Sequence, residues 1–239
     1  MGNLYIVATP IGNLQDISFR AIETLKKVDF VLCEDTRKTG FLLEKMIGHK
    51  IPKEKLGSYY EQNELKRIPN VLNLLIAGFN VALVSDAGTP LISDPGFKLV
   101  RECQDKKIKV ISIPGPSSVT AALSVSGLPT DKFLFLGFLP KRSGHRMCLL
   151  KNVEKSQKFI QPTVVFFETP HRIKVVLEEL QSVFGDVEIV ICRELTKIYE
   201  EVKKDKISVF IEHFQKVKPK GEIVILFNLK EKVTYSKAS

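Results

Sequence analysis

Glycines separated by a single residue are absent from this chain of 239 residues. Its fourteen glycines form no G-x-G, which excludes the dinucleotide-binding fingerprint, a kinase-type glycine loop and the glycine-rich loop of the common methyltransferase fold. No G-K-[ST] and no G-x-S-x-G occurs either, so a P-loop and a hydrolase nucleophile elbow are also excluded. A nucleotide-like cofactor would therefore have to be bound by a loop that lacks these glycine motifs.

Cysteine and histidine are scarce, with four residues of each. The cysteines lie far apart and form no C-x-x-C pair, so we expect reduced thiols rather than disulfides or a metal site. The histidines likewise lack the spacing of metal ligands. We therefore expect no metal.

Long apolar runs are also missing, and none approaches the length that spans a bilayer. The N-terminal MGNLYIVATP lacks the basic lead and the cleavage site of a signal peptide. Ile6 stands where N-myristoylation needs Ser or Thr. We expect a cytoplasmic protein without membrane attachment.

The net charge of +9 is unevenly distributed. Residues 1–132 have 17 Lys and Arg against 14 Asp and Glu, a balance of +3, whereas residues 133–239 have 19 against 13, a balance of +6. The segment 141–158 alone has six Lys or Arg and one Glu. Such a segment is typical of a surface that binds nucleic acid, although a solvated lysine-rich helix has the same composition.

Short apolar runs alternate with segments of helical period through the first half of the chain. This alternation predicts an α/β fold with a parallel sheet covered by helices on both faces. The predicted strands are LYIVAT (4–9), DFVLCED (29–35), NVALVSD (80–86) and KVISIP (109–114).

The turn-rich GLPTDK (127–132) interrupts the alternation, so we predict two α/β domains, 1–131 and 132–239. In the second domain the strands are predicted in FLFLGFLP, TVVFFE, VEIVICREL and GEIVILFNL, and the final TYSKAS is expected to be frayed.

Clusters of turn-forming and polar residues follow the predicted strands. Ligands of open parallel sheets bind outside the carboxyl ends of the strands, so six such clusters in one chain indicate a pocket. The clusters are TPIGNLQD (9–16), CEDTRKTG (33–40), SDAGTPLISDPG (85–96), IPGPSS (113–118), ETPHR (168–172) and CRELTKIYEE (192–201).

Each cluster also has a purely structural interpretation. Asp35 with Arg37 is consistent with a helix cap and a local ion pair, and Asp94 with a cap on the helix that follows it. Arg193 and Glu194 are consistent with a structural ion pair. The residues alone leave these alternatives open.

Taken in order, the clusters resemble the bacterial enzymes that methylate a ribose 2′-hydroxyl of small-subunit ribosomal RNA, a branch of the tetrapyrrole methylase superfamily. SDAGTPLISDPG and GLPTDKFLFLGFLP resemble the ribosomal RNA branch specifically, because a corrin-forming member is expected to have a GDP-type turn at Gly88-Thr89-Pro90. The resemblance extends from about Leu4 to Phe227 and is carried by LYIVATPIGNLQDIS, CEDTRKTG, ALVSDAGTPLISDPG, IPGPSSVTAALSVSGLPT, FLFLGFLP, FFETPHR, RELTKIYEE and KGEIVI.

This resemblance implies two α/β domains, each with a mixed or parallel sheet flanked by helices. It also implies S-adenosylmethionine in the cleft between the domains, and a homodimer. The implied substrate is a cytidine ribose near the decoding centre of 16S ribosomal RNA, within the small ribosomal subunit. The implied cofactor positions are Pro10, Gly12, Asp86, Gly88, Thr89, Ile92, Ser117, Ser118, Phe167, Glu168, Arg193 and Gly221.

Methyl transfer to a ribose hydroxyl depends on in-line positioning, and a nearby base or cation helps because the hydroxyl is weakly acidic. Two charged clusters are hypothetical catalytic groups: Glu34, Asp35 and Arg37 in the first domain, and Glu168, His171 and Arg172 in the second. Four residues of the basic segment are expected to bind RNA phosphates: Lys141, Arg142, Arg146 and Lys151.

Two other functions remain alternatives. A precorrin-type C-methyltransferase of the same superfamily would need a wide apolar trough and would gain nothing from a basic second domain. A non-catalytic RNA-binding protein on this fold would be expected to have lost the polar residues at the strand ends, which this chain keeps.

Overall fold

The computed structural model describes residues 1–48 and 52–229; the predicted tail TYSKAS lies outside them. Its contacts divide the chain into two compact units, Met1–Ser117 and a second from Ser118 onward. The division precedes the predicted one after residue 131, since the helix that begins at Ser118 packs against a strand of the second sheet. The boundary after residue 131, as a division between two folding units, stays a prediction.

The first unit is built on a five-stranded sheet whose described strand pairs are all parallel, in the order β3-β2-β4-β1-β5. This confirms the predicted parallel α/β architecture. β3 was not predicted, because three residues are too few to establish an alternating pattern. The elements are β1 (Leu4–Val7), α1 (Phe19–Lys27), β2 (Phe30–Cys33), α2 (Thr36–Ile47), β3 (Leu56–Ser58), α3 (Glu64–Ile76), β4 (Val81–Val84), α4 (Phe97–Asp105) and β5 (Val110–Ile113).

Local capping explains where the first helices begin and end. The Ser18 hydroxyl accepts a hydrogen bond from the Ala21 N–H at 3.1 Å and starts α1. Asp35 starts α2 in the same way, and Gly48 ends it with φ +86°, a left-handed conformation that glycine adopts without strain. Pro69 is tolerated inside α3 because it is exposed, so the carbonyl that it leaves unpaired lies on the solvent side.

The central strand β4 is buried on both faces, and its side chains alternate between two cores. Leu83 packs with the cluster formed by α3 and α4, which includes Leu75 and Leu99. Val84 packs on the other face with the cluster of α1 and α2, which includes Leu25 and Leu43. This alternation at period two is why VALV reads as an unbroken apolar run.

The second unit contains a mixed five-stranded sheet in the order β6-β7-β10-β8-β9. β6 and β7 are parallel, whereas β10 runs antiparallel to both of its neighbours. The elements are α5 (Ser118–Val125), β6 (Phe133–Phe138), α6 (Ser143–Ser156), β7 (Thr163–Glu168), α7 (Ile173–Phe184), β8 (Glu188–Arg193), β9 (Glu201–Lys206), α8 (Ile207–Lys216) and β10 (Ile223–Phe227).

One face of this second sheet forms a core with α6, α7 and α8, to which Phe166 and Phe227 contribute. The charged edge strand β9, EVKKDK, was not predicted because it has almost no apolar alternation. Within the described part of the chain, no helix is both long and apolar enough to cross a bilayer.

Candidate functional site

The carboxyl ends of β1, β2, β4 and β5 lie at one edge of the first sheet, because these strands are parallel. The loops that follow them, and the first turn of α2, carry every site residue predicted in this unit. These are Pro10, Gly12, Glu34, Asp35, Arg37, Asp86, Gly88, Thr89, Ile92 and Ser117.

Direct hydrogen bonds join three of these loops. Thr9 and Gly88 exchange two backbone hydrogen bonds, at 2.9 and 3.0 Å. The Thr9 hydroxyl also donates to the Ser85 carbonyl at 3.1 Å, and the Thr89 hydroxyl donates to the Pro116 carbonyl at 3.0 Å. The loops after β1, β4 and β5 therefore form one connected surface.

The segment between β4 and α4 makes a double turn with four residues of positive φ. They are Gly88 (+84°), Leu91 (+73°), Ser93 (+66°) and Gly96 (+133°). A side chain at Gly96 would lie 2.7 Å from Leu83 Cδ2, so only glycine fits there. Left-handed leucine and serine are unfavourable, and such strain persists only where tertiary contacts hold it.

Glu64, at the start of α3, supplies those contacts, and it was not predicted as a site residue. It is 2% exposed, and its Oε1 accepts hydrogen bonds from the Gly96 N–H at 2.9 Å and from the Tyr59 hydroxyl at 3.1 Å. Its Oε2 lies 3.0 Å from Lys98 Nζ. Burial, and then the nearby Glu64 carboxylate, raise the pKa of Tyr59. An acidic residue at the start of a helix is ordinary, so the sequence offered no signal for this role.

A group of acids occupies the loops after β2 and β4. Glu34 is half-buried, and its pKa is raised by burial and then by Asp94 and Asp86. The pKa of Asp94 is raised by burial, against a hydrogen bond from Ser85 that lowers it. Lys38 Nζ lies 3.2 Å from Asp86 and links the two loops. Asp94 does not cap α4, whose N-cap is Gly96, so the capping interpretation of Asp94 is wrong.

Asp35 and Arg37 are engaged with each other. The Asp35 carboxylate accepts the backbone N–H groups of Arg37 and Lys38 and pairs with the Arg37 guanidinium at 3.2 Å. The Arg37 side-chain and backbone hydrogen bonds lower the pKa of Asp35 to about 2. This geometry is that of a helix cap with a local ion pair.

In the second unit, the strand register brings the predicted residues to one edge of the sheet. Ile223, the first residue of β10, pairs with Glu168 at the end of β7 and with Arg193 at the end of β8. Gly221 directly precedes this strand. Phe167, one residue before Glu168, packs edge-on against Phe138, at a centroid distance of 5.4 Å. Ser118 lies elsewhere, at the start of α5.

The Glu168 carboxylate is buried and fully engaged. It accepts the Thr169 N–H at 2.7 Å and pairs with Arg172 at 3.0 Å. Arg172 also donates to the Leu139 carbonyl at 2.8 Å, which ties the loop after β6 to the loop after β7. His171 is exposed. The arrangement favours an anchoring role for Glu168 and Arg172.

Arg193 and Glu194 do not pair with each other, contrary to the structural alternative considered for them. Arg193 Nε donates to Glu201 across the β8–β9 pair at 3.0 Å, while Glu194 pairs with Lys197 at 2.9 Å. A side chain at Gly221 (φ +86°) would lie 2.5 Å from Glu194 Cδ. The positive φ and the contact with Glu194 both favour glycine at position 221.

Three of the four predicted RNA-binding residues, Lys141, Arg142 and Lys151, are exposed, but Arg146 is not. Arg146 is 4% exposed and donates to both oxygens of Glu179 and to the Pro140 and Lys141 carbonyls. The prediction for Arg146 is wrong because composition does not say which way a side chain points. Its spacing with the apolar Leu150 and Val153 places it on the buried face of α6, and that spacing was the available signal.

Metal binding finds no support in the described residues, which contain no group of three or more His, Cys, Asp or Glu side chains arranged to hold an ion. Cys33, Cys103 and Cys192 are buried free thiols, and Cys148 is exposed.

Residues 3–210 match the family model of the tetrapyrrole (corrin/porphyrin) methylases. The chain belongs to that family. This agrees with the resemblance that the motifs carry.

Individual relatives are more specific. The chain is 49% identical over 231 residues to a Thermotoga maritima protein named ribosomal RNA small subunit methyltransferase I, a match that covers 97% of this chain and 100% of the relative. Proteins of the same name from Mesorhizobium japonicum and Streptococcus pyogenes are 45% and 42% identical, covering 93% and 94% of this chain and 74% and 76% of theirs.

Solved structures share the fold at lower identity. Diphthine synthase superimposes with a TM-score of 0.70 at 18% identity, covering 95% of this chain and 90% of that one. A uroporphyrin-III C-methyltransferase from Thermus thermophilus, solved with S-adenosylhomocysteine, has a TM-score of 0.62 at 18% identity, covering 94% and 97%.

Replacing Glu64 tests whether its carboxylate holds the double turn. Glu64→Ala should lower the free energy of unfolding by about 3 kcal/mol, because a buried hydroxyl and a backbone N–H lose their acceptor. Glu64→Gln keeps an oxygen for both donors and loses only a half-exposed ion pair, so it should cost about 1 kcal/mol or less. Urea unfolding measures both losses, and equal losses would contradict this role.

The corrected position of Arg146 is tested against its neighbour Arg142. Arg146→Ala should lower the free energy of unfolding by about 3 kcal/mol, since it leaves the Glu179 carboxylate without its partner. Arg142→Ala, at an exposed site, should change it by less than about 0.5 kcal/mol. Urea unfolding measures both changes, and a small loss of unfolding free energy in both variants would indicate that Arg146 is exposed.

Asp86→Asn should lower the pKa of Glu34 and of Asp94, because it removes a negative charge that raises both. Both carboxyls bind their protons more tightly in the folded state, so stability is lost as the pH rises through their folded pKa values; the variant should reduce this loss. Carbon-13 NMR titration of the carboxyl groups measures the shifts. Asp105→Asn, at the far end of α4, is the control, and equal shifts in both variants would argue against the acidic group.

Proposed function

We propose that this protein transfers a methyl group from S-adenosylmethionine to the 2′-oxygen of a cytidine ribose near the decoding centre of 16S ribosomal RNA. The observation that carries the proposal is the 49% identity, over the whole length of the relative, to a protein named as a methyltransferase of small-subunit ribosomal RNA. We further propose that it acts in the cytoplasm as a homodimer, which the family resemblance supports.

The residues of the first unit fit a nucleoside-type cofactor without a G-x-G. Gly88 is buried, and its positive φ lets the loop after β4 turn where it is bonded to the loop after β1, which shapes the backbone that would face a ligand. Ile92 is 44% exposed between the two turns and offers an apolar surface to such a ligand. We therefore propose Pro10, Gly12, Gly88, Thr89 and Ile92 as the first-unit positions that hold the cofactor.

The remaining proposed cofactor positions differ in the groups that they offer to a ligand. Asp86 is exposed and paired with Lys38, which leaves its second oxygen for a polar ligand group. Phe167 offers a partly exposed aromatic ring, and Arg193 and Gly221 lie at the same sheet edge. Ser117 and Ser118 are half-buried between β5 and α5. Glu168 contributes to the cofactor site by fixing its loop.

S-adenosylmethionine supplies an activated methyl group, so the chain has to position the acceptor hydroxyl and manage its proton. Of the six hypothetical catalytic residues, Asp35, Arg37, Glu168 and Arg172 are engaged in ion pairs. Glu34, with a raised pKa, and the exposed His171 remain the two groups best suited to accept a proton. We propose these two for the first tests of a general base.

A labelling experiment separates this function from its alternatives. The purified protein is incubated with methyl-labelled S-adenosylmethionine and, separately, unmodified small ribosomal subunits, naked ribosomal RNA or a precorrin. We expect label on a single ribose 2′-oxygen of the RNA, located by reverse-transcription stops at low nucleotide concentration. Label on a base or on the precorrin would overturn the proposal, and RNA binding without label would favour a non-catalytic protein.

Two glycine variants test the cofactor positions in the same protein. Gly88→Ala and Gly78→Ala introduce similar backbone strain, because both glycines have positive φ. Gly78 precedes β4 and lies at the opposite edge of the sheet. Calorimetric titration with S-adenosylhomocysteine should show about tenfold weaker binding for Gly88→Ala and little change for Gly78→Ala. Equal affinities would remove Gly88 from the cofactor site.

A further inference from the structure

The segment KVKPK (216–220), which begins at the last residue of α8 and leads toward β10, presents three lysines to solvent. Lys216, Lys218 and Lys220 are all exposed, whereas Pro219 is buried and anchors the segment. Val217, where α8 ends, has extended backbone angles. Lys218 and Lys220 therefore lie beyond the helix, separated by one residue.

Strand register fixes where this segment lies. It leads through Gly221 into Ile223, which pairs with the last residues of β7 and β8. Arg193 at the end of β8 approaches the Lys220 carbonyl at 3.5 Å. KVKPK therefore lies at the sheet edge that carries the second-unit site residues.

The exposed Lys141 and Arg142 lie at the same edge, on the side of β7 that is away from β10. They follow β6, which is parallel to β7, so both strands end at this edge. The hydrogen bond from Arg172 to the Leu139 carbonyl, at 2.8 Å, holds their loop against the end of β7. KVKPK leads into β10, which lies between β7 and β8, so the two basic segments lie on either side of the end of β7.

Four acidic side chains at this edge are paired with basic residues, so they offset these lysines only in part. Glu168 pairs with Arg172, and Glu201 pairs with Arg193 and Lys203. Lys197 pairs with both Glu194 and Glu222. Among the described residues, KVKPK and the pair Lys141 and Arg142 make no ion pair, which leaves a positive surface that suits a polyanion.

We propose that Lys218 and Lys220 bind backbone phosphates of the RNA substrate and, together with Lys141 and Arg142, hold the strand across the end of β7. The inference rests on the proposed function, since it names the RNA contact of that same site. Phosphate contacts of this kind position the RNA without reading its sequence. The bases are left free to be recognised elsewhere.

The test compares two double variants of the full-length protein. Lys218→Ala with Lys220→Ala removes the proposed contacts, and Lys155→Ala with Lys158→Ala removes two exposed lysines from the end of α6, at the opposite edge of the sheet. Binding to naked small-subunit ribosomal RNA is measured between 50 and 200 mM salt (about the physiological range). Calorimetry with S-adenosylhomocysteine checks the fold and the cofactor site.

Two lost phosphate contacts should weaken RNA binding about tenfold near 0.1 M salt and reduce the slope of log affinity against log salt by about 1.4. Cofactor affinity should stay at the wild-type value, and the α6 variant should match the wild type in both assays. An unchanged slope in the Lys218 and Lys220 variant, or an equal loss in the α6 variant, would overturn the inference alone. A wild-type protein that neither binds nor methylates the RNA, whether naked or within small ribosomal subunits, would overturn the proposed function and this inference together.

Discussion

In the first unit, the buried carboxylate of Glu64 holds the chain between β4 and α4 in a conformation that its own backbone disfavours. One oxygen accepts both the Gly96 N–H and the Tyr59 hydroxyl, so the end of the double turn is tied to α3 and to the segment after β3. Left-handed Leu91 and Ser93 become tolerable because both ends of the turn are fixed, at Gly88 by Thr9 and at Gly96 by Glu64. The surface proposed for the cofactor depends on this fixation.

Charge is used differently in the two units. In the first, half-buried acids with raised pKa values gather around Asp86, and Lys38 pairs with Asp86. In the second, acids at the sheet edge form ion pairs with neighbouring Arg and Lys, and lysines on the adjoining segments remain exposed. Proton-accepting groups in one unit and exposed lysines in the other are consistent with the proposed transfer to an RNA hydroxyl.

Sequence reasoning succeeded where local chemistry decides the structure. The bounds of α2 follow from the cap at Asp35 and from Gly48, and β4 is buried on both faces as its apolar run predicted. It failed where a distant contact decides: the charged β9 is a strand because β8 offers it an edge, and Arg146 is buried because Glu179 on α7 neutralises it. Glu64 is the extreme case, since its partner Gly96 is 32 residues away.

The missing G-x-G now has a physical explanation. In a glycine-rich loop, the conformational freedom of neighbouring glycines alone lets the backbone come close to a ligand. Such a loop can therefore be recognised as a short sequence motif. Here only Gly88 and Gly96 supply that freedom, while Leu91 and Ser93 between them adopt left-handed angles under the restraint of Thr9 and Glu64. Because the restraint comes from distant elements of the first unit, the proposed cofactor site is distributed along the chain. A search for a short glycine pattern could not have found this site, whereas the order of the strand-end clusters along the chain could.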